Sequence, residues 1–236
     1  MGYSPCMLDL SRIRAISLDL DDTLWPIWPT IERAEKALHD WLTVRAPMAA
    51  ALFSNPSALR DIRDHMATSR PELKHDLSAL RRESIRLALY RAGENPLVAE
   101  EAFEVFFAER QRVSLFDDAL PALEFLAGRF PLVSISNGNA DIERVGIASY
   151  FRAAISAREF GVGKPDPRIF HAAAGAVDVM PENVLHIGDD ATLDALGALN
   201  AGMQAVWLNR SDAMWPHELE PQVTVATLTE VCDLLR

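Results

Sequence analysis

Cysteine is nearly missing from this chain: the two residues, Cys6 and Cys232, stand at opposite ends of 236. That spacing offers neither a disulfide framework nor a zinc site, and it fits a reducing cytoplasm. Positive charge is scarce as well, with 23 lysines and arginines against 34 aspartates and glutamates and a net charge of −11. Such a surface argues against nucleic acid or an anionic membrane as the main partner, because both need basic ground. No apolar run approaches a membrane span, and residues 1–10 lack the basic-then-apolar order of a secretion leader. Met1-Gly2 opens like an acylation signal, but Cys6 stands where serine or threonine is required. Internal repeats and low-complexity tracts are absent too, which excludes a repeat architecture.

What remains is an ordinary globular composition, 49% hydrophobic, long enough for one large domain or a domain carrying an insertion. Five short runs rich in apolar and β-branched residues read as buried strands, at 13–18, 132–136, 153–156, 184–187 and 205–208. Helical patterns lie between most of them, at 120–126, 142–147, 167–177 and 193–201. The alternation predicts the α/β class, a parallel sheet with helices on both faces and a ligand at the carboxyl ends of the strands. The tail adds an edge strand around Val223 and a last helix at 228–235.

The interval between the first and second runs is far longer than one crossover needs. Apolar residues recur at helical spacing over 31–44, 77–89 and 98–108, with Pro47, Pro56, Pro71 and Pro96 where breaks are expected. The expectation is a helical cap at 26–115 inserted into a core made of 1–25 and 116–236. Mounted on the exit of the first strand, it could close over that strand's end as a lid.

Chemistry-bearing residues gather at the same ends. Asp19-Leu20-Asp21-Asp22-Thr23 follows the first strand, and a carboxylate so placed can attack phosphorus. After the second strand, Ser136-Asn137-Gly138-Asn139 offers a hydroxyl donor and a turn whose amides can cradle an anion. Gly161-Val162-Gly163-Lys164-Pro165-Asp166-Pro167 fixes Lys164, a compact positive charge, in a stiff loop. His186-Ile187-Gly188-Asp189-Asp190 closes the fourth strand, with Asp194 on the helix beyond. Asp19, Asp21, Asp189 and Asp194 are therefore expected to converge on one edge, where their repulsion calls for cations. A divalent ion plus Lys164 answers it, and a carboxylate set without cysteine favours Mg²⁺ over Zn²⁺ or Ca²⁺. His186, inside the strand, reads as a buried structural residue.

These four motifs in this order resemble those of the haloacid dehalogenase-like hydrolase superfamily, and the likeness covers nearly the whole chain. The resemblance implies a Rossmann-like core with a helical cap of the first type. Ser136-Asn137-Gly138-Asn139-Ala140, Leu185 to Asp190 and Gly202-Met203-Gln204-Ala205 look especially like the bacterial flavin mononucleotide and ribityl-pyrimidine phosphate phosphatases. Pro71-Glu72-Leu73-Lys74-His75-Asp76 in the cap is similar to that branch as well. Carried over motif by motif, Asp19 is the nucleophile and Asp21 the proton carrier. Ser136 and the Asn137 amide hold phosphate, and Lys164 offsets charge. Mg²⁺ falls to Asp19, the Asp21 carbonyl and Asp189, with Asp194 orienting Lys164 or a metal-bound water. Asp22 and Asp190 are left as turn and supporting residues. A small phosphorylated metabolite is the implied partner, and Trp28, Trp41, Arg70, His75 and Arg82 are cap candidates for selecting it.

Three other readings share these residues. A 2-haloacid dehalogenase of the same fold uses an aspartate on carbon, but lacks the second carboxylate that Asp21 supplies. A phosphomutase would hand the phosphoryl group to a sugar phosphate instead of water. A non-catalytic phosphoacceptor would keep it, a role that neither a large cap nor Asp21 serves.

Overall fold

Apolar runs too brief for helices become six strands: β1 (Ala15–Leu18), β2 (Leu132–Ser136), β3 (Ala153–Ser156), β4 (Val184–Gly188), β5 (Gln204–Leu208) and β6 (Val223–Val225). All pair in parallel in the order β3-β2-β1-β4-β5-β6. The protein, a computed structural model, is described at residues 7–52 and 56–236, so Met1-Gly2 and Cys6 lie outside the described residues. It divides into two compact units, one running to Pro26 and resuming at Leu115–Arg236, the other Ile27–Ser114. In the first unit β1 sits at the switch point, with β2 on one side and β4 on the other, and both β1 and β4 are wholly buried. Strand order reverses there, which opens a crevice beyond the carboxyl ends of β1 and β4.

The second unit is helical: α1 (Ile27–Arg45), α2 (Pro47–Leu52), α3 (Pro56–Ser69), α4 (Leu77–Arg91) and α5 (Ala99–Arg110). The spacing at 31–44, 77–89 and 98–108 belongs to α1, α4 and α5, whereas α2 and α3 go beyond the three expected helices. Pro47 and Pro56 open them, at a position whose missing N–H would have been unbonded anyway. Leu38, Leu42, Leu80, Ile85, Leu89, Phe103 and Phe106 form the unit's core. One ion pair is buried among them, Glu35 with Arg81 at 3.4 Å, the guanidinium lying 4.3 Å from the centre of the Phe106 ring.

Returning to the first unit, the chain adds α6 (Ala119–Ala127), α7 (Ile142–Val145), α8 (Ala157–Phe160), α9 (Pro167–Gly175), α10 (Gly197–Asn200) and α11 (Leu228–Leu234). Two expectations need correction. The helix read at 142–147 stops at Val145, because Gly146 turns left-handed at φ +89° and caps it. The helix read at 193–201 is two pieces, a π-helical turn at Ala191–Leu196 followed by α10. In that turn the Ala195 amide reaches back five residues to the Asp190 carbonyl at 3.2 Å. Among the described residues no helix is long and apolar enough to cross a membrane.

Candidate active site

Asp19 follows β1 directly and is 7% exposed. The Lys164 ammonium donates to it and also to Asp194, and both side chains flanking the lysine are buried like it. Lys164 arrives on the loop after α8, and Asn137 after β2 fixes where that loop lies. The Lys164 amide donates to Asn137 Oδ1 at 2.7 Å, and Asn137 Nδ2 donates back to the Lys164 carbonyl at 2.9 Å. Gly163 makes this approach possible, since a Cβ there would lie 2.5 Å from Asn137 Oδ1.

Asp194 is carried by the π turn. Asp190 starts that turn by accepting from the Thr192 and Leu193 amides, each at 2.8 Å, which satisfies donors the turn leaves open. The Asp190 amide then donates to Asp194 Oδ2 at 3.0 Å, and His186 from β4 reaches Asp194 Oδ1 at 3.1 Å. Asp194 thus has three donors around it, counting Lys164. Asp189 is held at two points, its carboxylate by the Thr23 hydroxyl at 3.0 Å and its carbonyl by the Trp207 indole N–H at 2.7 Å.

Carboxylate oxygens of Asp19, Asp189 and Asp194 lie within 4.8 Å of one another. One ammonium cannot neutralise three carboxylates, and the strain shows in their acidities. Burial lifts Asp19 well above the usual carboxylate range, with the charges of Asp194 and Asp189 adding to it against Lys164. Burial, then the Asp194 charge, raises Asp189 to about 7. Burial opposes ionisation of Asp194 too, but Lys164 and the His186 hydrogen bond outweigh it and bring that group down to about 2. Lys164, with two anions against it, is held protonated well above its ordinary value in spite of its burial. Asp19 and Asp189, whose ionisation burial and their neighbours oppose, are hard oxygen donors with no thiolate beside them, so the set fits a small hard divalent cation that would take the place of their protons.

The fourth carboxylate does not join this group. Asp21 lies beyond β1, where Asp22 turns left-handed at φ +56° and the Asp22 amide bonds the Trp25 carbonyl at 2.7 Å. Across that tight turn the Trp25 indole N–H donates to Asp21 Oδ1 at 2.8 Å. Ser136, 4% exposed at the end of β2, accepts the Gly138 amide at 2.9 Å, which leaves its own proton for an acceptor. The supporting partners Thr23, Trp207, the Asn137 side chain and Ser17, whose hydroxyl meets His186 Nδ1 at 2.8 Å, escape a sequence reading. Thr23 alone had a signal, its place in the Asp19 to Thr23 string. In the helical unit Trp41 packs against the core and Trp28 is exposed. Arg70 pairs with Glu72, Arg82 pairs with Glu100 at 3.0 Å, and His75 is half-buried.

Comparison with known proteins follows the same lines. The haloacid dehalogenase-like hydrolase family matches residues 13–202. The 5-amino-6-(5-phospho-D-ribitylamino)uracil phosphatase YigB of Escherichia coli K12 is 34% identical over 234 residues, 96% of this chain and 98% of that protein. A phosphoserine phosphatase of Thermus thermophilus is 37% identical over 157 residues, 64% of this chain and 63% of that one. Among solved structures, a 2-haloacid dehalogenase from Pseudomonas syringae pv. Tomato DC3000 superposes with a TM-score of 0.88 at 39% identity, over 94% of this chain and 98% of that one.

Proposed function

The chain belongs to the haloacid dehalogenase-like hydrolase family, and we propose that it is a phosphatase that hydrolyses small phosphate monoesters with Mg²⁺ through an aspartyl-phosphate intermediate. One observation carries the reading: a buried lysine shared by Asp19 and Asp194, with Asp189 alongside, at the crevice where the strand order reverses. Asp19 attacks phosphorus while the ester P–O bond breaks, and Asp21 gives the leaving oxygen its proton. Water then attacks the aspartyl phosphate, its proton passing to Asp21, and inorganic phosphate departs with Asp19 restored. Ser136 donates to a phosphoryl oxygen, the Asn137 amide to another, and Lys164 offsets charge on both phosphate and Asp19. The Asp19 and Asp189 carboxylates and the Asp21 carbonyl would hold Mg²⁺, which when bound would supply positive charge against that building on the phosphoryl oxygens. Asp194, already taken up by three donors, positions Lys164 instead of binding metal itself.

The likeness to YigB over nearly all of both chains supports a phosphorylated ribitylamino-uracil as substrate, and the motif resemblance adds flavin mononucleotide as a second candidate. A second reading, dehalogenation, draws on the similar structure described as a 2-haloacid dehalogenase. Halide leaves without a proton, so Asp21 would have no work in that reaction. Phosphate release from a panel containing flavin mononucleotide, the ribitylamino-uracil phosphate, sugar phosphates and nucleotides decides between them, run beside halide release from 2-chloropropionate. Release of halide, or equal phosphate release in excess chelator, would overturn the proposal. Phosphate transferred to an added sugar phosphate in place of water would make it a mutase. Asp19→Asn should abolish turnover, and a wild-type rate in that variant would remove Asp19 as nucleophile.

A further inference from the structure

His186 is the one imidazole in an apolar strand, flanked on β4 by Leu185 and Ile187 and fully buried. An imidazole there is costly unless both ring nitrogens find partners. Both do: Nε2 lies 3.1 Å from Asp194 Oδ1, and Nδ1 lies 2.8 Å from Ser17 Oγ on the neighbouring strand β1. Ser17 and His186 are register partners, so the backbone ladder itself holds the pair together.

Burial lowers the pKa of His186, so the ring is neutral and carries one proton, and the direction of each bond follows. Asp194 accepts from the Lys164 ammonium and the Asp190 amide, and a carboxylate has only lone pairs to offer. Nε2 must then carry the ring proton, Nδ1 must accept, and the Ser17 hydroxyl must donate. Phe170 meets the ring edge-on at 5.1 Å and 87°, which fixes its plane. The result is a line of polar groups, Ser17 to His186 to Asp194 to Lys164 to Asp19, running from the floor of the sheet to the reacting carboxylate.

We propose that His186, oriented by Ser17, is a positioning residue: its Nε2–H sets the Asp194 carboxylate, and Asp194 sets the Lys164 ammonium against Asp19. The proposal rests on the phosphatase reading for its consequence in rate. If the ring only filled space, an apolar ring of like size would serve as well. His186→Phe keeps the ring and deletes the donor, so kcat should fall about tenfold while KM for p-nitrophenyl phosphate stays within about twofold. His186→Gln places an amide N–H near the old Nε2 and should recover most of that loss. Equal kcat in His186→Phe and wild type, or no recovery in His186→Gln, would overturn the proposal.

Nitrogen-15 spectra of the full-length protein read the same arrangement without turnover. A protonated Nε2 and a bare Nδ1 are expected at His186, with the Lys164 ammonium signal displaced in His186→Phe and restored in His186→Gln. A protonated Nδ1 or an unmoved Lys164 signal would overturn the proposal even in protein that releases no phosphate. Loss of phosphate release in the wild type would sink the phosphatase reading alone. Should His186→Phe fail to fold, the tautomer in the wild type and the Gln variant still decide.

Discussion

Asp194 occupies the space that a side chain on residue 188 would need: a Cβ on Gly188 would lie 2.3 Å from the Asp194 Cγ. The carboxylate therefore lies flat against the end of β4, and the π turn delivers it there. Gly188→Ala should push Asp194 off Lys164, at a cost of about 1–3 kcal/mol for the overpacking. A lower melting temperature together with at least about a tenfold fall in phosphate release is the expected pair of results. An alanine variant that melts and turns over like the wild type would show that the contact constrains nothing.

On the proposed mechanism the Asp21 carboxylate, bonded by the Trp25 indole at 2.8 Å and outside the Asp19, Asp189 and Asp194 group, carries the proton while its carbonyl would face the metal. Asp21→Asn should slow alkyl phosphates by about 100-fold or more, since an alkoxide leaves poorly without a proton. For p-nitrophenyl phosphate the first step should suffer far less, because that leaving group is a weak base. Alkyl phosphate turnover set against the nitrophenolate burst, read before the second step in which Asp21 also takes a proton, checks the role, and equal slowing of the two would refute it.

Metal binding should follow the titration of Asp189. Its folded value, about 7, lies above the unfolded value near 3.8, so the folded chain keeps a proton that the unfolded chain has released between those limits. Stability of the metal-free protein therefore falls as pH climbs through that window, and a cation that displaces the proton gains affinity over the same range. The rise in melting temperature on adding Mg²⁺ should be larger at pH 8 than at pH 5.5. Asp189→Asn should flatten that dependence, and an equal rise at both pH values in the wild type would contradict the assignment.

Trp207 from β5 bonds the Asp189 carbonyl at 2.7 Å and is nearly buried. Trp207→Phe removes the donor while keeping an aromatic ring, and a hydrogen bond of about 1 kcal/mol translates to roughly fivefold weaker Mg²⁺ binding by calorimetry. Unaltered affinity would mean that the Thr23 hydroxyl suffices to hold Asp189.

Much of this was legible in the chain before any fold was drawn. β2 begins and ends where its apolar run does, because a strand buried in a parallel sheet has little else to be made of, whereas β3, with the same bounds as its run, is an edge strand and is not buried as expected. Lys164 could be tied to the ligand end of the sheet by its two glycines and two prolines. The π turn could not, since its extra residue answers to Gly188 and the Asp190 cap and not to any local period. Nor could the separation of Asp21, which hangs on a left-handed Asp22, a conformation that a sequence does not announce. α2 and α3 were hidden for a simpler reason: each opens on a proline, which in a sequence reads as a break between longer helices.

Asn137 and Lys164 exchange hydrogen bonds in both directions, the Lys164 amide donating to Asn137 Oδ1 and Asn137 Nδ2 donating to the Lys164 carbonyl. The loop after β2 and the loop after α8 are thereby stitched into one clasp, so neither can be edited alone. A change at Asn137 would be felt at the lysine ammonium without any side chain of the site being touched, and an exchange of loops between relatives would have to move both halves of the stitch together.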